Sequence, residues 1–87
     1  MRKSHEILLR CFHDPAFTFG DVTVCYIDRG APGNESCVTG ERIVALDSQY
    51  MEVGEESQSS PIPYHRITRI MYQRKVLWER GVKGPGR

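Results

Sequence analysis

Residues 22–27 read Val-Thr-Val-Cys-Tyr-Ile, and residues 28–34 follow them directly as Asp-Arg-Gly-Ala-Pro-Gly-Asn. The first run is rich in β-branched and aromatic side chains that suit a pleated, half-buried surface, so it predicts a strand in the core. The second run has the composition of a turn, and its two glycines are free to adopt positive φ. Together they predict a central strand that ends in an irregular glycine loop.

The N-terminal segment predicts one short amphipathic helix. Ser4 can cap its first turn, and Asp14 ends it because the residue before a proline is pushed out of the α region. The apolar positions recur at helical spacing and are Ile7, Leu8, Cys11 and Phe12.

Beyond the glycine loop the pattern predicts four more strands, near residues 42–46, 50–53, 67–72 and 75–80. Residues 54–60 are polar and predict an exposed loop. Pro61 and Pro63 favour extended backbone at a sheet edge. The last two strands would form a hairpin around Gln73 and Arg74, although the apolar residues of 67–71 would also fit a helical face.

These elements predict an α+β fold in which the N-terminal helix packs on a small, curved, mainly antiparallel sheet of about five strands. A chain of 87 residues can bury one modest core. We therefore expect a single domain over residues 1–81 and a disordered tail at residues 82–87. No apolar run reaches the ~18 residues of a membrane span, so we expect neither a membrane protein nor a secretory precursor.

The three cysteines, Cys11, Cys25 and Cys37, are an odd number at wide spacing. The chain has no closely spaced pair of ligands typical of a zinc site, so we expect no metal and no cofactor. Apolar neighbours predict that all three cysteines are free, buried thiols, which suits a reducing cytoplasm.

The charges are divided unevenly along the chain. Residues 34–56 carry a net charge of −5 and residues 64–87 a net charge of +6, within a total of +1. A fold that keeps these segments apart would present one cationic face, which is typical of proteins with phosphate-bearing partners. Alternatively, the two segments neutralise each other across a sheet.

Two segments could bind phosphate. Arg29 can bind it through two parallel hydrogen bonds, while Gly30 and Gly33 allow backbone N–H groups to turn toward the same anion. An ordinary turn, with Arg29 paired to a neighbouring aspartate, would explain the same residues. His65 and Arg66 lie in an extended stretch, where alternation would place them on opposite faces unless the strand is kinked.

Aromatic and cationic residues also interleave in the C-terminal segment. Such a mixture suits unpaired bases, which stack on rings while cations hold the phosphates, although aromatic residues in strands more often pack in the core. The residues concerned are Tyr64, Tyr72 and Trp78 with Arg69, Arg74, Lys75 and Arg80.

Catalysis is an alternative to binding, because two histidines can act as acid and base on a cyclic phosphate. The candidates are His5, His13 and His65, but none stands in the repeated His-x-Ser/Thr element of two-histidine phosphoesterases. We therefore expect no catalytic residue, with His65 as the alternative.

Four segments are distinctive in their order and spacing: the Asp-Pro after the first helix, the strand and loop at residues 26–33, Ile-Pro-Tyr-His-Arg-Ile at 62–67, and Val-Leu-Trp-Glu-Arg at 76–80. They resemble the RNA cyclic group end recognition domain family, a group of short uncharacterised proteins common in archaea. The resemblance spans residues 4–81.

This resemblance implies a cytoplasmic protein that recognises RNA ends bearing a 2′,3′-cyclic phosphate, in RNA processing or repair. The residues that match the family's motifs are Arg29, Gly30 and Gly33 in the glycine loop, His65 and Arg66 in a His-Arg pair, and Trp78 and Arg80 in the terminal strand. Asp28 departs from the histidine of many relatives, and an anion beside Arg29 would weaken a phosphate site there.

We therefore expect a recognition module for single-stranded RNA ends, with RNA-processing enzymes as further partners, rather than an enzyme. Arg29 and Arg66 would grip the phosphate, and His65 would donate a hydrogen bond to it. Tyr64 or Trp78 would flank a base or ribose. The alternatives are a metal-independent phosphoesterase that uses His65 and a protein-interaction adaptor whose basic strand meets an acidic partner.

Overall fold

The computed structural model describes residues 3–55 and 57–80, so the tail predicted at residues 82–87 lies outside the described residues. Within the described part there are one α-helix and seven strands: α1 (Lys3–His13), β1 (Val22–Ile27), β2 (Glu35–Thr39), β3 (Ile43–Leu46), β4 (Tyr50–Glu55), β5 (Gln58–Pro63), β6 (Ile67–Tyr72) and β7 (Lys75–Glu79). The strand predicted at residues 22–27 is therefore confirmed.

The strands form two antiparallel sheets. The first has the order β2-β1-β6-β7, so β1 lies inside it, and the second has the order β3-β4-β5. β5 is an edge strand, where the N–H groups that Pro61 and Pro63 lack are not needed by a further neighbour. The edge position predicted for these prolines is confirmed.

The α+β class is confirmed, but the expectation of about five strands in one curved sheet is wrong. The pattern misses β2 altogether, and it anticipates β5 only as extended edge backbone at its two prolines. Both strands lie at sheet edges. β5 takes up part of residues 54–60, which the composition assigns to an exposed loop. An edge strand is paired on one side only, so it can be as polar as Glu-Ser-Cys-Val-Thr at residues 35–39 and still belong to a sheet.

The C-terminal hairpin forms as predicted, and the helical alternative for residues 67–71 is wrong. β6 and β7 pair across a two-residue turn in which Gln73 has a φ of 57°. This left-handed conformation is one that a two-residue hairpin turn requires, and here glutamine supplies it in place of the usual glycine or asparagine.

One apolar cluster draws on α1 and on both sheets. Leu8 and Cys11 enter it from the same side of α1 because residues three apart share a helix face, whereas Phe12 is 55% exposed. The helix ends at His13, before the Asp-Pro, as predicted, but Ser4 lies inside its first turn instead of preceding it. No helix in residues 3–55 and 57–80 is long and apolar enough to cross a membrane.

The expectation of free thiols is wrong for Cys25 and Cys37, which form a disulfide. The two residues are direct partners in the β1–β2 ladder, with Cα atoms 4.0 Å apart. Strand register brings them together, and spacing along the chain does not reveal register. Cys11 is free and buried as expected, and burial raises the pKa of its thiol.

Candidate functional site

Three of the predicted site segments lie at the same end of the four-stranded sheet. β1 ends where β6 begins, since Tyr26 pairs with Ile67, and β7 runs back to the same place. Antiparallel pairing therefore gathers at one end the glycine loop at residues 28–34, the turn at residues 64–66, and Arg80.

The glycine loop has the backbone that its composition predicts. Gly30 and Gly33 have φ values of 101° and 70°, which residues with a side chain rarely adopt. The Ser36 hydroxyl donates a hydrogen bond to the Asp28 carboxylate at 2.6 Å. Arg29 is exposed and forms no ion pair with any described residue, Asp28 included. Its guanidinium is therefore open to an anion, and the neighbouring carboxylate is already engaged.

His65 and Arg66 lie in a 3₁₀ turn, Tyr64–Arg66, that separates β5 from β6. This turn replaces the strand alternation that would place the two side chains on opposite faces, and both are exposed. His65 borders two adjoining cavities of about 280 Å³ and 390 Å³, which together are called the His65 pocket. The other residues that line it are Lys3, Ser4, His5, Ser48, Gln49, Tyr64, Trp78 and Arg80.

The smaller cavity has a fixed aromatic wall. The Tyr64 hydroxyl donates a hydrogen bond to the Asp47 carbonyl at 2.6 Å, and the His5 ring stacks on the Tyr64 ring with centroids 4.3 Å apart. Burial, together with the charge of Asp47, raises the pKa of Tyr64 to about 12. The sequence led us to expect that the Tyr64 ring could flank a base. Because Tyr64 is only 2% exposed, its ring instead supports the wall of the cavity.

The larger cavity is bordered by cations and an indole ring. The Arg80 guanidinium donates a hydrogen bond to the His65 carbonyl, and the Arg80 backbone N–H donates to Thr68 at 2.8 Å. A guanidinium has five N–H donors, so Arg80 keeps donors for a ligand while it holds the turn in place. Trp78 is half-buried and Lys3 is exposed on the same cavity.

The start of α1 also belongs to the pocket, although the sequence singled out only His5 there, and only as a catalytic candidate. The first N–H groups of a helix have no partner within it, and they form the positive end of its dipole. Ser4 and His5 are 2% and 7% exposed, and no hydrogen bond joins the His5 ring to another residue of the described ranges. His5 and His65 are far apart in the chain, so no local signal could have paired them.

The predicted site residues are only partly brought together. Four of them line the His65 pocket, namely Tyr64, His65, Trp78 and Arg80. The other four lie at the same end of the sheet but line neither of its cavities, namely Arg29, Gly30, Gly33 and Arg66. The binding hypothesis requires Arg29, His65 and Arg66 to converge on one concave surface, but only His65 lines the pocket.

The cations of the C-terminal segment differ in whether acidic residues neutralise them. Arg69 is neutralised, because its guanidinium lies 3.6 Å from both the Glu35 and the Glu79 carboxylates. Within the part of the chain that the structure describes, Arg74 and Lys75 form no ion pair and are exposed. Neutralisation across the sheet and a free cationic surface thus both occur.

The lining of the pocket is rich in hydrogen-bond donors. It combines a lysine, an arginine and two histidines with the first turn of α1. No group of three or more His, Cys, Asp or Glu side chains that could hold a metal ion lies within residues 3–55 and 57–80.

Comparison with known proteins places these features in a family. The model of the MJ1316 RNA cyclic group end recognition domain matches residues 1–80. The chain is also 28% identical, over 75 residues, to the UPF0248 protein MK0350 of Methanopyrus kandleri, an alignment that covers 86% of this chain and 96% of that protein. No solved structure matches the chain. The region that the family model matches contains every residue that lines the His65 pocket.

Proposed function

The chain belongs to the MJ1316 RNA cyclic group end recognition domain family, and from this membership we propose that it binds RNA ends that carry a phosphate, in particular a 2′,3′-cyclic phosphate. The proposal depends on the position of His65, which lines two cavities together with residues from the start of α1 and the end of β7. Such a pocket can surround a terminal ribose phosphate on more than one side.

The phosphate is bound by donors from three elements. His65 donates a hydrogen bond from the turn, Arg80 donates from beyond β7, and Lys3 adds a positive charge. The positive end of the α1 dipole favours the same anion. Hydrogen bonds between charged donors and phosphate are roughly twice as strong as neutral ones.

The ribose and its base are bound by Trp78. Its ring is half-buried on the larger cavity, beside Arg80 and Lys3. An unpaired base can stack on an indole, which is how most sequence-tolerant RNA-binding sites hold single strands. Tyr64 contributes indirectly, since its buried ring holds the wall that faces the ligand.

Arg29 and Arg66 form an outer rim. Both are exposed and unpaired with any described acidic residue, and both lie at the end of the sheet where the His65 pocket lies. They attract RNA and contact its phosphates near the end, while Gly30 and Gly33 let the loop backbone approach closely. The proposal treats residues 1–81 as one binding unit.

We further propose that the protein acts in the cytoplasm and that RNA-processing enzymes are its partners. The disulfide between Cys25 and Cys37 argues against the reducing cytoplasm that free thiols would suit, so the cytoplasmic location depends on the RNA ligand alone. RNA-processing or repair enzymes are the partners that would use a protein bound to such an end.

The test is a titration with one short RNA that ends in a 2′,3′-cyclic phosphate, a 3′-phosphate or a 3′-hydroxyl. We expect the cyclic phosphate to bind most tightly, and His65→Asn to weaken its binding by about 1 to 3 kcal/mol, the range for a charge-assisted hydrogen bond. The matched control is His13→Asn, because His13 is exposed at the other end of α1. Equal affinity for the three ends would contradict the proposal.

One observation favours a second candidate function. His5 and His65 line the same cavity of about 280 Å³, so one could take a proton from an attacking water while the other protonates the ribose oxygen that leaves phosphorus. Water would thus open the cyclic phosphate to a phosphomonoester. In that case the wild type forms product without metal, and His65→Asn or His5→Asn lowers the rate by ~10²- to 10⁴-fold with RNA still bound. Absence of product in the same titration tubes supports recognition without catalysis.

The adaptor alternative predicts a different result. If none of the three RNAs binds and an acidic peptide does, the basic hairpin serves protein contacts. Replacing Arg74 and Lys75 by glutamine would then weaken peptide binding, whereas His65→Asn would leave it unchanged.

A further inference from the structure

Beyond the His65 pocket, α1 and β7 pack against each other. α1 begins where β7 ends, because Ser4 and Trp78 line the same cavity, so the two elements run side by side in opposite directions. Two more cavities, of about 190 Å³ and 820 Å³, lie farther along them and share Phe17 and Leu77 in their walls. These two cavities are called the α1–β7 groove.

The floor of the groove is formed by aromatic side chains. Phe17 and Tyr72 meet edge to face, with ring centroids 4.8 Å apart and an angle of 78° between the rings. The Thr18 backbone N–H donates a hydrogen bond to the Tyr72 hydroxyl at 2.9 Å, which fixes that ring in place. Both rings line the larger cavity together with the aliphatic Leu77. The groove therefore offers ordered apolar surface of the kind on which bases stack.

The rim of the groove is cationic. Arg10 lines its smaller cavity, and Arg74 and Lys75 line its larger one. All three are exposed, and none forms an ion pair with another residue in the described ranges. Aromatic surface bordered by unneutralised cations is complementary to single-stranded nucleic acid, whose bases are apolar on their faces and whose phosphates are anionic.

We propose that the α1–β7 groove binds the unpaired nucleotides that precede the RNA end held in the His65 pocket. This inference rests on the proposed function and extends it from an end group to a strand. The RNA end lies at His65, and the strand passes along β7 toward the turn at Gln73 and Arg74. The ligand is therefore a single-stranded RNA tail and not the blunt end of a duplex, since paired nucleobases cannot reach the aromatic floor of the groove.

The length of the groove sets the number of nucleotides. The five residues of β7 span about 13 Å at roughly 3.3 Å per residue. An unstacked strand advances by more than the 3.4 Å per nucleotide of a stacked one, so the groove holds about three nucleotides.

The experiment is a calorimetric titration with a cyclic mononucleotide and with RNAs of two, three and five nucleotides, each ending in a 2′,3′-cyclic phosphate. We expect Kd to fall with every added nucleotide up to about three and then to level off. The five-nucleotide RNA should bind at least about tenfold more weakly when its last nucleotides are paired in a blunt duplex.

Variants connect the length dependence to the groove. The double substitution Arg74→Gln and Lys75→Gln should weaken binding of the five-nucleotide RNA by about tenfold and leave the cyclic mononucleotide nearly unchanged. Arg42→Gln is the matched control, because Arg42 is an exposed cation outside both cavities of the groove. Phe17→Ala should have a similar effect, but Phe17 also packs against the core, so the charge variants keep the test valid if that protein does not fold.

The outcomes separate this inference from the proposed function. If affinity is independent of length and the double variant binds like wild type, the groove proposal is overturned and end recognition stands. If the double variant weakens all longer RNAs while His65→Asn changes nothing and the end group has no influence, the groove binds RNA but end recognition fails. If no RNA binds at any length, both are overturned.

Discussion

The C-terminal hairpin contributes cations to two surfaces, and the two surfaces use them in opposite ways. On one face of the four-stranded sheet, called the outer face, Arg69 lies across from Cys25 and forms ion pairs with Glu35 and Glu79. On the side of the proposed ligand, called the ligand side and formed by the His65 pocket with the α1–β7 groove, the cations have no acidic partner among the described residues. On the outer face the cation stabilises the fold through ion pairs, whereas on the ligand side the cations stay available for a ligand.

The comparison shows that a basic segment is not a functional unit. Arg69 and Arg74 are close in the chain and identical in chemistry, yet only Arg69 lies in the middle of a sheet, within reach of acidic residues on other strands. Strand neighbours decide whether a cation is neutralised. If the comparison is right, variants on the outer face change stability and leave RNA affinity alone, whereas variants of the unpaired cations on the ligand side mainly change RNA affinity.

The largest effect is expected from the disulfide of the outer face. Closing the 12-residue separation between Cys25 and Cys37 restricts the unfolded chain, so Cys37→Ser should lower the free energy of unfolding by about 3 kcal/mol. Urea denaturation with and without reductant measures it. Reductant should lower the midpoint of the wild type and not that of the variant, while RNA affinity of the folded protein is unchanged. Equal midpoints with and without reductant would mean that the bond does not form.

The next effect concerns the stability contributed by Tyr64, the buried residue in the wall of the His65 pocket. The pKa of Tyr64 is raised to about 12 by burial and by the charge of Asp47, against about 10 when unfolded. The stability that this contributes is fully present below pH 10 and is lost as pH rises from about 10 to about 12, by 2 to 3 kcal/mol at roughly 1.4 kcal/mol per pKa unit.

Chemical denaturation at several alkaline pH values checks this. The decline should be much shallower in Tyr64→Phe, and Tyr72→Phe is the control because Tyr72 lines the groove instead of the pocket. A decline of equal steepness in Tyr64→Phe would assign the alkaline sensitivity to another group.

A crossed pair of variants could break the comparison itself. Arg80→Gln should weaken binding of cyclic-phosphate RNA by about 2 kcal/mol, because it removes charged donors from the pocket. It should lower stability by only about 1 kcal/mol, through loss of the hydrogen bond to the His65 carbonyl. Arg69→Gln should cost about 1 kcal/mol of stability, the upper range for a partly exposed ion pair, and leave the Kd unchanged. If both variants lower affinity equally, the outer face is not separate from the binding surface.

The smallest effect is a change of slope. Affinity for single-stranded RNA should fall with salt, and the slope of log K against log salt should decrease in magnitude by about 0.7 for each phosphate contact removed. We expect that decrease in Arg74→Gln or Lys75→Gln, with the preference for the end group retained, and no decrease in Arg69→Gln. Binding that does not change between ~50 and ~200 mM salt would contradict cationic docking altogether.

The sequence predicted the elements whose signals are local. Residues 22–27 contain enough β-branched and aromatic side chains to specify a strand alone, and the Asp-Pro marks where α1 ends. Four of the nine residues that line the His65 pocket were also predictable, because Tyr64, His65, Trp78 and Arg80 stand in motifs shared with the family. The polar edge strands β2 and β5 were not, since their pairing is stabilised by a neighbour on one side and leaves little pattern in their own residues.

Periodicity, turn chemistry and family motifs in the chain specified the helix, the central strand, the glycine loop and the C-terminal hairpin. Only the tertiary structure joined Cys25 to Cys37, placed His5 beside the cavity of His65, and neutralised Arg69 while Arg74 stayed free. The physical reason is that backbone conformation responds to neighbours a few residues away, whereas these contacts depend on strand register and on how α1 packs against β7. Register and packing are set by the whole core at once, so no single stretch of sequence contains them.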